Sequence, residues 1–247
     1  MIHWRDVIRA AALATLLPGT AAAQAPEGVP RRERAPFPPR PFGLGPFEPH
    51  VEGVPYRAES VIELVRNTKD GTASVRRITG LVARDAAGRT LREDAMGPEQ
   101  DRVVAIDDPM AGVHYVLFPE RAEGRKFAEP LRERRLGRMG TRFHRPRDAG
   151  GAPPVKTESL GTQVIAGVEA EGMRDTITLP AGVHGNESPV EVVSERWYSS
   201  ELKAVVRHLH RDARGERTWT LTDITRGEPE ASLFEVPAGF EIEEGHR

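Results

Sequence analysis

The 247-residue sequence predicts a mainly β protein built as an antiparallel meander, sandwich or barrel. Three observations carry that prediction. β-branched and alternating segments recur at the spacing of roughly 8–12 residues that such folds show. Turn sequences separate them, Asp70-Gly71 being the hairpin dipeptide with the strongest local signal. No helical pattern of the length a parallel α/β crossover requires lies between them.

The chain opens with MIHWRDVIRAAALATLLPGTAAAQ. Arg5 and Arg9 precede a short apolar run, Ala10 to Leu17, and Ala21-Ala22-Ala23 offers the small-residue site a signal peptidase needs. Residues 1–23 are therefore expected to be a signal peptide, with the rest periplasmic or secreted. The apolar run falls short of the ~20 residues that span a bilayer, so no transmembrane segment is expected after cleavage. Losing Arg5, Arg9 and Asp6 leaves 33 basic against 36 acidic residues. A nearly neutral chain of this kind is not built to coat nucleic acid. With no cysteine, the protein has no disulfide, thiol nucleophile or thiolate metal ligand.

Residues 24–55 are proline-rich and lack apolar periodicity, which predicts a disordered arm. Phe37, Phe42 and Phe47 each follow a proline at five-residue intervals. Two readings stay open: a polyproline-like spacer, or an arm whose phenylalanines dock in a groove.

From Tyr56 the β domain begins and is expected to run to residue 247. AESVIELVR, ASVRRITGLVARD, RTLRED, RVVAIDD and VHYVLFP read as its first strands. A basic, flexible insert is expected at about 121–155, with room for a short helix through Leu131–Met139. Arg132, Arg134, Arg135 and Arg138 make it a candidate patch for anionic headgroups. The alternative is a solvated loop whose charge Glu120, Glu123, Glu129 and Glu133 partly neutralise.

Glu158 to Gly172, ESLGTQVIAGVEAEG, tests for chemistry. Its glycines are too widely spaced for a phosphate loop, and Ser159 lacks the glycine two residues before it that a nucleophile elbow needs. The stretch reads as strand, turn at Ala166-Gly167, and return strand. His208 and His210, two apart on a strand, share a face and could hold zinc with His114 or His184 as third ligand. Flanking arginines favour instead an exposed polar face on an edge strand. No metal, cofactor or catalytic residue is assigned, and a non-enzymatic role is expected. Trp197, Trp219, Leu221 and Phe234 are core candidates that would line a ligand cavity if the sheet curls open.

Three runs together, ESLGTQVIAGVEAEGMR (158–174), ERWYSSELKAVV (195–206) and LTDITRGEPEASLFEVPAGF (221–240), resemble a group of uncharacterised secreted bacterial proteins. More distantly they resemble the superfamily of the periplasmic lipoprotein carrier LolA and the N-terminal domain of the stress regulator RseB. That resemblance implies a strongly curved antiparallel sheet, or open half-barrel, with one or two short helices and a concave face for acyl chains. It implies a lipid or lipoprotein as partner and brings no catalytic residues. The other expectation, from a different class, is an envelope protein–protein interaction module with a filled core and no small ligand.

Overall fold

The computed structural model describes residues 50–67, 72–95, 102–128, 154–182 and 186–245. Its strands are β1 (Tyr56–Asn67), β2 (Ala73–Arg84), β3 (Thr90–Ala95), β4 (Arg102–Asp108), β5 (Val113–Phe118) and β6 (Glu123–Ala128). They continue with β7 (Val155–Ile165), β8 (Val168–Leu179), β9 (Val190–Ser199), β10 (Ala204–Asp212), β11 (Gly215–Arg226) and β12 (Glu241–Glu244). Two 3-10 turns, Pro119–Arg121 and Ala231–Phe234, are the helical elements among the described residues. None is long and apolar enough to cross a membrane.

All twelve strands belong to one sheet in the order β12-β6-β5-β4-β3-β2-β1-β11-β10-β9-β8-β7. Two meanders, β1 to β6 and β7 to β11, are joined where β11 pairs antiparallel with β1. Only β12 is parallel to its neighbour, β6. The two outer strands do not pair with each other, so the sheet is not closed into a barrel.

Local chemistry sets the hairpins. Ala166 and Gly167 both have positive φ, 49° and 80°, which gives the two-residue turn whose twist matches the strands it joins. The opening stretch of the second meander is thus the hairpin its sequence predicts. Asp108 Oδ1 accepts hydrogen bonds from the Met110 and Ala111 amides at 3.0 and 2.9 Å, closing the β4–β5 turn.

The sheet carries a core on each face. Val82 belongs to one cluster and its chain neighbour Ala83 to the other, and adjacent strand residues point to opposite sides. The first cluster joins Tyr56, Ile62, Ile78, Trp197, Leu202, Val206, Trp219 and Leu221 with residues of β8. The second joins Leu91, Val104, Ile106 and Leu117 to Leu233 and Phe234, so the segment after β11 lies across the β2–β5 half of the sheet.

The first face is the inside of a curve. Strands β2 and β10 stand three ladder spacings apart, roughly 14 Å along a flat sheet. Yet Arg84 on β2 donates directly to the Leu202 carbonyl in the β9–β10 turn, and also to the Val54 carbonyl at 3.0 Å. Arg92 on β3 likewise lies 5.7 Å from the ring centre of Trp219 on β11. The sheet bends around these contacts, as a curved half-barrel does.

Two expectations are corrected. The insert expected from residue 121 gives residues 123–128 to β6, whose alternating partners on β5 extend the ladder. Residues 129–153, with the helix foreseen at 131–139, lie outside the described residues. The strand bearing His208 and His210 is not an edge strand but an inner one, paired to β9 and β11.

Candidate functional site

Directly opposed residues of antiparallel strands share a face, so the register reads out as rows across the inner surface. Arg196, His208, Trp219, Ile62 and Ile78 form one row. Ser194, His210, Arg217, Leu64 and Arg76 form the next. On the other side of the Trp219 row come Leu221, Ser60, Gly80 and Asp94. An apolar wall is therefore bordered by charged residues drawn from five strands.

Asp94 is the centre of this arrangement. It is 4% exposed, and neither carboxylate oxygen has a hydrogen-bond partner of good geometry among the described residues. Ser60 Oγ and Trp219 Nε1 are buried in the same condition. Ser60 approaches Asp94 closely enough to favour its charged form without completing a well-formed bond. Burial pushes the Asp94 carboxyl up to about 6, against the opposing pull of Arg92 and Arg217. Gly80 makes the approach of these groups possible. A methyl group there would overlap the Glu93 carbonyl oxygen and come within 2.8 Å of Ser60 Oγ and 2.9 Å of Asp94 Oδ1.

His208, on β10, lies in the adjoining Trp219 row. Burial pushes its imidazole down to about 4, reinforced by the positive fields of His210, Arg217 and Arg196. It is therefore neutral at pH 7, and its Nε2 lies 3.1 Å from Ser194 Oγ. Arg217 connects the two sides: burial and Arg92 lower its pKa, and Asp94 raises it.

Three of the four expected lining residues converge here. Trp197, Trp219 and Leu221 share the inner cluster and are 8%, 1% and 0% exposed. Phe234 does not join them; it packs on the opposite face with Leu233, under the Arg89 guanidinium 5.1 Å from its ring centre. The break comes after β11, where the chain crosses to the outer face. Arg132, Arg134, Arg135 and Arg138 lie outside the described residues. No cluster of three or more metal-ligating side chains occurs among the described residues. Asp94, Ser60, Gly80, Arg92, Arg217 and Ser194 escaped the sequence reading because only strand register brings them together.

A separate polar cavity of about 560 Å³ opens on the β7–β9 end. It is lined by Lys156, Glu158, Arg174, Glu191, Glu195 and Arg211 among others. Its charges are largely paired, with Arg174 2.7 Å from Glu195 and Lys156 2.9 Å from Glu158.

No protein-family model matches the chain, and no curated protein does. Solved structures do. An uncharacterised conserved protein from Thermus thermophilus is similar at a TM-score of 0.43 and 9% identity, covering 78% of this chain and 91% of that one. A LolA superfamily protein from Nitrosomonas europaea matches at 0.34 and 8%, covering 75% and 92%. The lipoprotein LppX of Mycobacterium tuberculosis matches at 0.28 and 16%, covering 70% and 87%. Superpositions this loose say nothing about what this chain binds.

Proposed function

We propose that this is a non-enzymatic binding protein of the cell envelope, exported after cleavage near Ala23, that takes an amphiphile on the inner face of its curved sheet. One observation carries the reading. An apolar wall of Trp219, Ile62 and Leu221 abuts a centre in which Arg92 and Arg217 act on the buried Asp94. Guanidinium groups at the end of an apolar wall suit an acyl chain ending in an anionic head. The buried hydroxyl of Ser60 and the indole N–H of Trp219 supply further donors to which a head could bond. Arg132, Arg134, Arg135 and Arg138 are kept as proposed contacts for anionic headgroups on the strength of their sequence alone.

A second reading has its own support. Trp219 and Leu221 are already covered by this chain, so a ligand must displace packed side chains to reach them. A module with a filled core would need no such opening, and would use its outer surfaces to hold an envelope protein.

Titration with palmitate and with lysophosphatidylglycerol, followed by tryptophan emission, separates the two. Saturable quenching that is weakened in an Arg217→Gln variant of unchanged melting temperature supports the carrier. Absence of quenching, together with no lipid found by mass spectrometry of the purified protein, would leave the filled module.

A further inference from the structure

The outer strand β12 is four residues long and exposed throughout. It lies parallel on β6, pairing Glu241 with Glu123, Ile242 with Gly124, Glu243 with Arg125 and Glu244 with Lys126. The backbone ladder is closed at both ends. The Glu241 amide donates to the Ala122 carbonyl at 2.8 Å, and the Gly245 amide to the Lys126 carbonyl at 2.7 Å. Beyond the ladder, the edge of β6 reads three chemical features of the strand it holds.

The first is charge. Arg125 stands 3.7 Å from Glu243, and Lys126 3.5 Å from Glu244. The second is a socket. Gly124 has no side chain, and a methyl group there would come within 2.8 Å of Ile242 Cδ1 and 2.6 Å of Leu117 Cδ2. The absence of a Cβ thus lets Ile242 settle beside the second core. The third is a platform: Gly245 lies so close over the Phe127 ring that any Cβ there would overlap it.

These contacts hold β12 weakly. Exposed ion pairs contribute about 0–1 kcal/mol each, and Ile242 remains 36% exposed. Weakly held strands at a sheet edge open locally without unfolding the rest. The preceding Leu233 and Phe234 are buried in the second core and Val236 and Phe240 pack against it, so detachment would begin after Phe240.

We propose that the β6 edge is a binding site for an extended acidic segment of a partner protein, and that β12 is its own cover. The segment it fits carries an aliphatic residue followed by two acidic residues and a glycine, running parallel to β6. Such strand addition gives affinity through main-chain bonds and selectivity through alternate side chains. The covering strand competes from a short tether, which corresponds to a millimolar local concentration.

The test compares the full chain with one ending at Phe240, using a fluorescein-labelled peptide of residues 239–245, GFEIEEG, and fluorescence anisotropy. The shortened chain should bind at least tenfold more tightly than the full chain. Adding Arg125→Glu and Lys126→Glu to the shortened chain should abolish binding, as should replacing the peptide's three glutamates with lysine. If the shortened chain loses its melting transition, the full chain with Ile242→Asp takes its place, since it frees the edge while retaining the tail. No binding by a folded, uncovered chain would overturn the proposal, as would equal binding by covered and uncovered forms. Dimers of the full chain that the Phe240 truncation dissolves would assign the edge to a second copy instead.

Discussion

Asp94 on β3 and His208 on β10 both lie on the inner surface and are displaced in opposite directions: burial holds the carboxyl near pH 6 and the imidazole near pH 4. Arg217, paired with His210 on β10, acts on both. Each group is thus kept closer to neutrality than it would be in water, in a region where charge is expensive.

Their effects on stability run in opposite directions. Folded Asp94 binds a proton more tightly than the unfolded chain, in which the carboxyl titrates at 3.8. Its contribution therefore falls as pH rises from 3.8 to about 6, and stays low above that. Folded His208 releases its proton down to about 4, against 6.5 unfolded, so its contribution rises with pH between those values. The two slopes offset one another in the intact protein. Asp94→Asn should stabilise the fold at pH 7 by up to about 3 kcal/mol, leave it nearly unchanged below pH 4, and unmask the rise due to His208. His208→Gln should do the reverse and unmask a decline. Urea unfolding from pH 4 to 7.5 reads both, and parallel curves for all three proteins would refute the assignment.

Gly80→Ala should be among the most damaging small substitutions in the sheet. The added methyl meets a backbone carbonyl of β3, which cannot rotate away, together with Ser60 and Asp94. A loss of at least 1–3 kcal/mol is expected from overpacking of this kind. Chemical denaturation checks it; a midpoint equal to that of the parent would show that β2 and β3 can part freely.

Trp219 and Phe234 are buried in clusters on opposite faces. Replacing either by alanine should cost about 3–5 kcal/mol. Because they share no packing partners, the double variant should lose the sum, within about 0.5 kcal/mol. Trp219→Ala with Ile62→Ala, directly paired across β1 and β11, should depart from additivity. Unfolding titrations of the parent, the three single variants and the two doubles decide between two cores and one.

Arg84→Met should destabilise the curl more than its hydrophobic volume suggests. The guanidinium lies 4.9 Å from the Tyr56 ring centre and donates to carbonyls of Val54 and Leu202. Methionine fills the space but strands both acceptors, at about 1–3 kcal/mol for each buried group left unpaired. Hydrogen exchange should quicken at the β9–β10 turn before it does in β3–β5.

Alternation and turn residues were enough to make the strands legible, including the inward direction of Trp219 and Leu221 in TWTLTD. They were enough because strand period and turn chemistry are local properties. What brings Asp94 to Ser60, or His208 to Arg196, is register between strands far apart in the chain, and no local pattern encodes it. The inner position of β10 was hidden for the same reason. VVRHLHRD reads as polar, yet half of that polarity lies inside the curve, where His208 Nε2 meets Ser194 Oγ and burial keeps the ring neutral. Phe234 is buried like the other core candidates, but in the cluster on the opposite face, at the end of the 3-10 turn Ala231–Phe234.

The antiparallel seam between β1 and β11 has a practical corollary. Tyr56 meets Arg226 and Arg66 meets Gly215, so the longest ladder between the two meanders joins opposite ends of the described chain. Every other pairing inside each meander is between consecutive strands. A polypeptide arranged this way can be severed at the junction between β6 and β7 without cutting a hairpin. Co-expressed halves ending after Ala128 and starting before Val155 should find one another through that seam and reconstitute a single sheet, a split reporter whose reassembly is driven by β1 zipping onto β11.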